Sequence, residues 1–291
     1  MDAAELPSVL GGRFSVAHAR AAGVSVSRLR RRDLERPFHG VRSAAGAAGI
    51  PNRDRLGRKL GDLERAHLIR VQEYDPWRAG DAFYSHVTAA VGWGVPLPPW
   101  ALSDAMVHVA VRAPRRLPRS KGVRGHQVLD SQTVTCADPF TGLQLADPAT
   151  TWAMLGAVLT HPYDLVAAGD AIIREWRVTR PLATLENLRE TTLQGRRVGI
   201  VALREAIPRL RARSASRTET WMRLTIVDGG LPEPELNAEV WEDGDYLGTA
   251  DGAYVEARVA MEYEGEHHLR DPEQWAYDIE RHDRMRAAGG W

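Results

Sequence analysis

The stretch Gly248–Gly265, GTADGAYVEARVAMEYEG, predicts two neighbouring β-strands joined by a short turn. Its second half alternates in the period of a strand, which puts Ala260, Glu262 and Glu264 on one face. The turn at EAR pairs the two strands and brings Asp251 of the first strand toward these carboxylates. Like charges that converge on a sheet face are costly unless a cation neutralises them. Oxygen-only ligands suit Mg²⁺ or Mn²⁺, which orient a water and stabilise phosphoryl charge.

Two flanking segments add candidate side chains to this acidic site. Glu219 lies near the start of the predicted helix SRTETWMRLTIVD, where it either supplies a fourth carboxylate or favours the helix dipole as a solvated side chain. The sequence GEHH follows the last strand, and His267 or His268 can act there as base, acid or phosphate donor. The surrounding pattern predicts strands at Glu235–Trp241, Tyr246–Tyr254 and Arg258–Glu264, a turn at Glu242–Asp245, and helices that begin at Ser214 or Ser216 and at about Pro272.

The N-terminal region has the pattern of a helix-turn-helix unit. Phe14–Ala21 predicts a short helix, Gly23 the tight turn, and Ser25 or Ser27 the cap of a second helix that runs to about Leu34. The following RPFHGVRS predicts the β-hairpin wing of a winged helix.

Charge is unevenly distributed, although the formal net charge is zero. Between Gly12 and Ser43 eight arginines face two acids, a balance of +6, and between Glu233 and Asp283 sixteen acids face three arginines, a balance of −13. The basic region predicts contacts with DNA phosphates and base edges, with a solvated arginine-rich helix as the alternative. The predicted DNA-binding residues are Arg28, Arg30, Arg31, Arg32 and Arg42.

The middle of the chain mixes strands and helices. Leu56–Gln72 predicts a helix, Val107–Val111 a strand, and the segments 148–176 and 181–210 further helices. His86 has no partner at a ligand-like spacing, so we interpret it as structural, with Ser85 and Thr88 as helix caps.

The 291 residues, 44% of them hydrophobic, exceed one typical domain and suffice for ordinary cores. A single cysteine, Cys136, excludes an internal disulfide and a cysteine-based zinc cluster. No apolar run is long enough for a membrane span, and the acidic start lacks the basic part of a signal peptide. We therefore expect a cytoplasmic protein of three domains, at residues 1–75, 76–212 and 213–291.

The C-terminal motifs resemble a known family. The helix SRTETWMRL, the segment GLPEPELN, the hairpin ADGAYVEARVAMEYEGEHH and the tail QWAYDIERHDRMRAAGGW together resemble the Vsr-like endonuclease domain of the PD-(D/E)XK superfamily. The resemblance implies a restriction-endonuclease-like fold, with a mixed sheet flanked by helices. It also implies metal ligation by Asp251 and Glu262, and catalytic roles for Glu264, His268 and Glu219.

This chain departs from that family in two respects. Glu264 stands where a lysine is common, and the only lysines of the chain are Lys59 and Lys121, so water activation falls to the metal and to His268. The family usually continues past the position of Trp291, which implies a shortened domain.

Residues 10 to about 175 resemble AbiEi-type antitoxin proteins, which join a winged helix to an α/β domain and bind promoter DNA. The matching strings are FSVAHARAAGVSVSRLRRRDLERPFHGVR, SHVTAAVGWGVPLP and LADPATTW. The whole chain is thus expected to have an α/β (α+β) fold and to bind DNA, with a partner in a toxin–antitoxin or defence operon.

Three functions remain open from the sequence. The first is a metal-dependent DNA endonuclease, targeted by its winged helix. The second is a non-catalytic DNA-binding regulator of the antitoxin type, with a degenerate nuclease domain. The third is an interaction module whose acidic tail binds a basic partner.

Overall fold

The structure is a computed structural model that describes residues 5–44, 49–55, 57–176, 178 and 180–263. These residues form helices and three β-sheets, which confirms the predicted α/β class. None of the described helices combines the length and the apolar character needed to cross a bilayer. The α-helices are α1 (Val16–Ala21), α2 (Val26–Leu29), α3 (Asp62–Tyr74), α4 (His86–Gly92), α5 (Pro148–Leu155), α6 (Pro162–Ile173), α7 (Leu185–Leu193), α8 (Ile200–Ala206) and α9 (Arg217–Asp228).

The described chain divides into two compact units. Unit 1 comprises Met1–Thr160 and Glu186–Arg204, and unit 2 comprises His161–Leu185 and Glu205–Trp291. The strands are β1 (Arg13–Ser15), β2 (Leu34–Glu35), β3 (Val41–Ala44), β4 (Phe83–Tyr84), β5 (Val107–Arg112), β6 (Val123–Val128), β7 (Thr135–Ala137), β8 (Gln144–Ala146), β9 (Glu235–Glu242), β10 (Asp245–Tyr254) and β11 (Val259–Met261).

The predicted helix-turn-helix and hairpin are present at the start of unit 1. Helices α1 and α2 flank a turn at Gly23, and β1, which precedes α1, joins the following β2–β3 hairpin in the sheet β1-β3-β2, with the hairpin turn at Gly40. Phe14, Leu29 and Leu34 are buried in a common core of this region. Ala19 of α1 belongs to the same core, so these apolar residues join the two helices to the small sheet.

Helix α2 is shorter than predicted, since it ends at Leu29 and not at about Leu34. Leu34 is instead buried in β2, where it pairs with Ala44 of β3. Helical periodicity thus predicts Leu34 in the helix, whereas the structure has it in a strand. The register of β2 with β3 places this side chain inside the core.

Unit 1 also contains a mixed five-stranded sheet in the order β6-β5-β4-β8-β7. The β5–β6 and β4–β8 pairs are parallel, and the β4–β5 and β7–β8 pairs are antiparallel. Helix α3 begins at Asp62, not at Leu56 as predicted. The Glu64 carboxylate accepts a hydrogen bond from the Gly61 N–H at 2.8 Å and pairs with Arg58, so the helix starts where these bonds form.

Unit 2 packs α6 against α9 and contains the antiparallel sheet β11-β10-β9. Its first hairpin turns at Asp243 and Gly244, both with positive φ, as predicted for the segment Glu242–Asp245. Strand β11 ends at Met261, shorter than the predicted Arg258–Glu264. In the described residues this sheet is antiparallel throughout, where the prediction had a mixed sheet.

Candidate functional site

Glu219 lies in the first turn of α9 and is 6% exposed. Ser216 begins this helix, because its hydroxyl accepts a hydrogen bond from the Glu219 N–H at 3.1 Å, which satisfies a helix N–H that lacks an intrahelical partner. Oε2 of Glu219 accepts hydrogen bonds from the Ala215 N–H and from the Asn237 amide, each at 2.8 Å. The start of α9 and strand β9 therefore hold this carboxylate in place.

Asp251 of β10 and Glu262, just after β11, lie on the two sides of the second hairpin. Gly252 pairs with Met261, so continuing the register by one residue sets Asp251 opposite Glu262. Oδ2 of Asp251 accepts a hydrogen bond from the Tyr263 N–H at 2.9 Å, which ties the end of this segment to β10. Both carboxylates are half-buried.

The negative charge of Asp251 acts on the carboxyl group of Glu219. Burial raises the pKa of Glu219 above its ordinary value, the hydrogen bond from Ala215 lowers it, and the negative charge of Asp251 raises it again. A carboxylate destabilised by a second carboxylate is a typical feature of sites that a cation neutralises. Glu219, Asp251 and Glu262 thus offer the oxygen donors that Mg²⁺ or Mn²⁺ prefers.

Two of the predicted site residues, Glu264 and His268, lie outside the described residues. Asn237, which was not predicted, joins the site through its amide. It is 2% exposed, has a φ of 45°, and also donates a hydrogen bond to the Arg213 carbonyl at 2.6 Å. The only signal in the sequence was its polarity between Leu236 and Ala238, in an otherwise apolar part of a strand.

A buried ion-pair network positions the helix that carries Glu219. Arg223 of α9 is 1% exposed and donates to Oδ2 of Asp170 on α6 at 3.1 Å and to Oε1 of Glu233 at 2.8 Å. The Thr220 hydroxyl donates to the same Asp170 oxygen at 2.9 Å. Burial raises the pKa of Asp170 to about 6, although Arg223 lowers it. This network binds α9 to α6.

Two of the five predicted DNA-binding arginines, Arg28 and Arg42, bind other residues of the helix-turn-helix region. Arg28 makes a two-bond ion pair with Asp33, at 3.1 and 2.8 Å. Nε of Arg42 donates to the Leu29 carbonyl at 2.7 Å, and burial lowers the pKa of this arginine. Both side chains connect the end of α2 to the hairpin, so they stabilise the local fold.

Arg30, Arg31 and Arg32 follow α2 directly and are exposed. None of the three forms an ion pair with a described residue. Exposed guanidinium groups beside a helix-turn-helix can contact DNA phosphates, which orient a protein on the duplex. These three residues are therefore the DNA-contacting candidates that the structure presents to solvent.

Three histidines of unit 1 come together, although we interpreted His86 as structural. His86 begins α4, His108 lies in β5 and His126 lies in β6. In the part of the chain that the structure describes, they form the one group of three or more histidines, cysteines or acids whose ligand atoms all lie within 4.8 Å of one another. His86 thus has two histidine neighbours, His108 and His126, which the pairing of β5 with β6 brings beside it.

The comparisons with known proteins assign no activity. No family model matches the chain. It is similar to two proteins of Mycobacterium tuberculosis, the uncharacterized protein MT2308 of strain CDC 1551 / Oshkosh and the uncharacterized protein Rv2248 of strain ATCC 25618 / H37Rv. Each is 38% identical over 136 residues, which cover 44% of this chain and 48% of the relative. The chain thus spans about half the length of these relatives, and its function must be argued from its own sites.

Proposed function

We propose that this chain is a metal-dependent DNA endonuclease whose hydrolytic site is formed by Asp251, Glu262 and Glu219 in unit 2. The observation that carries the proposal is the position of Asp251 across the hairpin from Glu262, with Glu219 near enough for the charge of Asp251 to raise its pKa, although the ligand atoms of the three acids do not all lie within 4.8 Å of one another. The raised pKa of Glu219, caused first by burial and also by Asp251, supports a site built to receive a cation. DNA is the expected substrate because unit 1 carries a helix-turn-helix with exposed arginines.

In this proposal Asp251 and Glu262 hold Mg²⁺ or Mn²⁺, which supplies charge stabilisation to the phosphoryl group and a water of lowered pKa. Asn237 and the start of α9 keep Glu219 beside Asp251. Glu219, with its raised pKa, is suited to take a proton from the attacking water. Neither lysine of the chain lies in unit 2, so a lysine of this unit has no part in the proposed reaction.

The test is nicking of supercoiled plasmid by the full chain in Mg²⁺ and in Mn²⁺. Loss of a metal ligand removes several kcal/mol of transition-state stabilisation. At about 1.4 kcal/mol per tenfold change in rate, Asp251→Asn and Glu262→Gln should each lower the rate by on the order of 100-fold or more. Glu256→Gln is the matched control, since Glu256 is an exposed acid of the same hairpin. Cleavage that persists unchanged in the Asp251 and Glu262 variants would contradict the proposed site.

The exposed arginines Arg30, Arg31 and Arg32 favour a second candidate function, a DNA-binding regulator that does not cleave. Such a protein would act on an operator, with a partner encoded in a toxin–antitoxin or defence operon. Its binding should weaken with salt, because phosphate contacts release counterions.

Binding of labelled DNA over a salt series separates the two candidates. Replacing all three arginines with alanine should weaken binding and lower the salt slope by about 0.9 for each lost phosphate contact. Arg189→Ala, an exposed arginine paired with Glu186, serves as the control. Binding that depends on the three arginines, without cleavage in either metal, favours the regulator. If the triple variant binds DNA with unchanged affinity, the three arginines serve neither the endonuclease nor the regulator.

A further inference from the structure

The three histidines of unit 1 have no part in the function proposed above, and their geometry suits a shared ion. The ring centroids of His86 and His126 are 3.8 Å apart, and those of His108 and His126 are 5.0 Å apart. Nε2 of His126 lies 3.1 Å from Nδ1 of His108. Two nitrogens bound to one tetrahedral Zn²⁺, with bonds of about 2.0–2.1 Å, stand roughly 3.3 Å apart. This pair already has nearly that separation.

Neighbouring side chains hold the cluster in place. The Ser85 hydroxyl lies 3.0 Å from Nδ1 of His86, the type of contact that orients a ligating imidazole through its other nitrogen. Oγ1 of Thr88 accepts a hydrogen bond from the backbone N–H of His108 at 2.8 Å and lies 2.8 Å from Nε2 of buried His67. His86 has a φ of 47°, a conformation that a residue other than glycine keeps only where the surrounding structure enforces it.

The environment of the cluster favours neutral imidazoles. Burial lowers the pKa of His108 to about 3 and that of His126 to about 4. Burial also lowers the pKa of His86 well below its ordinary value. Neutral imidazole is the form that ligates metals, so no proton has to leave before an ion binds at neutral pH.

The cluster opens onto a cleft of about 510 Å³ within unit 1. Arg124 and Arg197 line the same cleft. Nε and Nη2 of Arg197 are buried and have no hydrogen-bond partner among the described residues. Guanidinium donors of this kind pair with carboxylate and phosphate oxygens. The cleft therefore combines three nitrogen ligands with a cationic wall.

We propose that His86, His108 and His126 bind one Zn²⁺ ion, which keeps a fourth position open to the cleft. The ligand of that position is an anionic oxygen group, a phosphate or a carboxylate, which Arg197 also contacts. Three imidazoles without a carboxylate suit Zn²⁺ better than Mg²⁺, and three protein ligands with one open position are typical of reactive zinc sites. The positive charges of the ion and of Arg197 both favour an anion there. This site is independent of the acidic site in unit 2.

The first experiment measures Zn²⁺ affinity and stoichiometry by equilibrium dialysis of the untagged full chain. The parent protein carries Asp251→Asn and Glu262→Gln, so that the acidic site does not contribute. We expect one equivalent of Zn²⁺. His126→Gln should bind on the order of 100-fold more weakly or worse, since loss of an outer-shell partner alone costs about 10–100-fold. His18→Gln, at an exposed histidine of unit 1, should bind like the parent.

Circular dichroism of the metal-free proteins checks that each variant folds. His86→Gln provides a second variant outside the sheet, at the start of α4, and decides the result if His126→Gln does not fold. The proposal is overturned if the parent retains no Zn²⁺, or if a folded variant of either histidine retains the parent affinity.

The second experiment tests the open position. The parent chain is loaded with Co²⁺ as a spectroscopic substitute for Zn²⁺ and titrated with inorganic phosphate or with acetate. We expect one of the two anions to change the visible spectrum of the bound Co²⁺, which identifies the oxygen group. Arg197→Ala should weaken that anion about tenfold, the value of a charge-assisted hydrogen bond of about 1.5 kcal/mol. Arg189→Ala is the control. An unchanged spectrum with both anions, or equal affinity in the Arg197 variant, overturns this part of the proposal.

Discussion

Replacing Arg223 with methionine removes the cation that neutralises Asp170 between α6 and α9. The two side chains are 2% and 1% exposed, so water cannot take the place of the lost guanidinium. Breaking a buried pair in this way costs about 3–5 kcal/mol, because it leaves a charge without its partner. Arg223→Met should therefore lower the free energy of unfolding by that amount at pH 8.

The loss should depend on pH, with a sign that follows from the pKa of Asp170. Burial already raises this pKa to about 6 in the presence of Arg223, and removing the arginine raises it further. A raised pKa in the folded state means that the folded protein binds more protons than the unfolded chain, so stability falls as pH rises from about 4 through the folded value. The fall is larger in the variant, and its deficit at pH 5 should be smaller than at pH 8.

Urea unfolding followed by far-ultraviolet circular dichroism at both pH values measures this difference. Arg189→Met is the matched control, because its ion pair with Glu186 spans 3.7 Å and both side chains are largely exposed. Its effect should stay within about 0.5 kcal/mol. A loss below about 1 kcal/mol for Arg223→Met at pH 8, or a larger loss at pH 5 than at pH 8, would refute the reasoning.

Two further local features, the cap of α9 and the packing of the wing, are tested by substitution. Ser216→Ala removes the hydroxyl that caps α9 beside Glu219 and should lower stability by about 1 kcal/mol in thermal unfolding; an unchanged melting curve would count against the cap. Gly40→Ala places a Cβ 2.5 Å from the Trp77 ring at a φ of 78°, whereas Gly23→Ala, at a φ of 84°, has open space. Both substitutions should lower the free energy of unfolding by about 1–2 kcal/mol, because alanine is strained at a positive φ. Gly40→Ala should lower it by about 1–3 kcal/mol more, because its Cβ overlaps the Trp77 ring. Equal losses of the two variants in urea unfolding would contradict the close packing of the wing.

The hairpin of β9 and β10 could be predicted from sequence within a residue at each end. Leu236, Ala238 and Val240 recur at every second position of β9, and Asp243-Gly244 suits a two-residue turn with both φ angles positive, although the register shifts between Tyr246 and Gly248 of β10. These signals act between neighbours in sequence. The position of Asp251 across from Glu262 follows when the Gly252–Met261 register between β10 and β11 is continued by one residue.

The helix limits of unit 1 were predicted less well, because they depend on tertiary contacts. Periodicity predicted that α2 extends to Leu34, but Leu34 is buried in the core as part of β2. Helix α3 starts later than the predicted Leu56 because the Arg58–Glu64 pair closes a turn before Asp62. In both cases a contact with a residue outside the helix decides where the helix ends or begins, and single-sequence periodicity does not contain that contact.

The two candidate metal sites differ in how their ligands are distributed along the chain, and this explains why only one was predictable. Asp251 and Glu262 belong to a single hairpin, so local alternation and one turn place them together. His108 and His126 meet through the parallel pairing of β5 with β6, in which His126 lies opposite Ala110. Parallel strands need a crossover connection, whose length sets no register that short-range patterns reveal. A histidine without a partner at ligand spacing is therefore weak evidence for a structural role, because strand pairing can supply its partners.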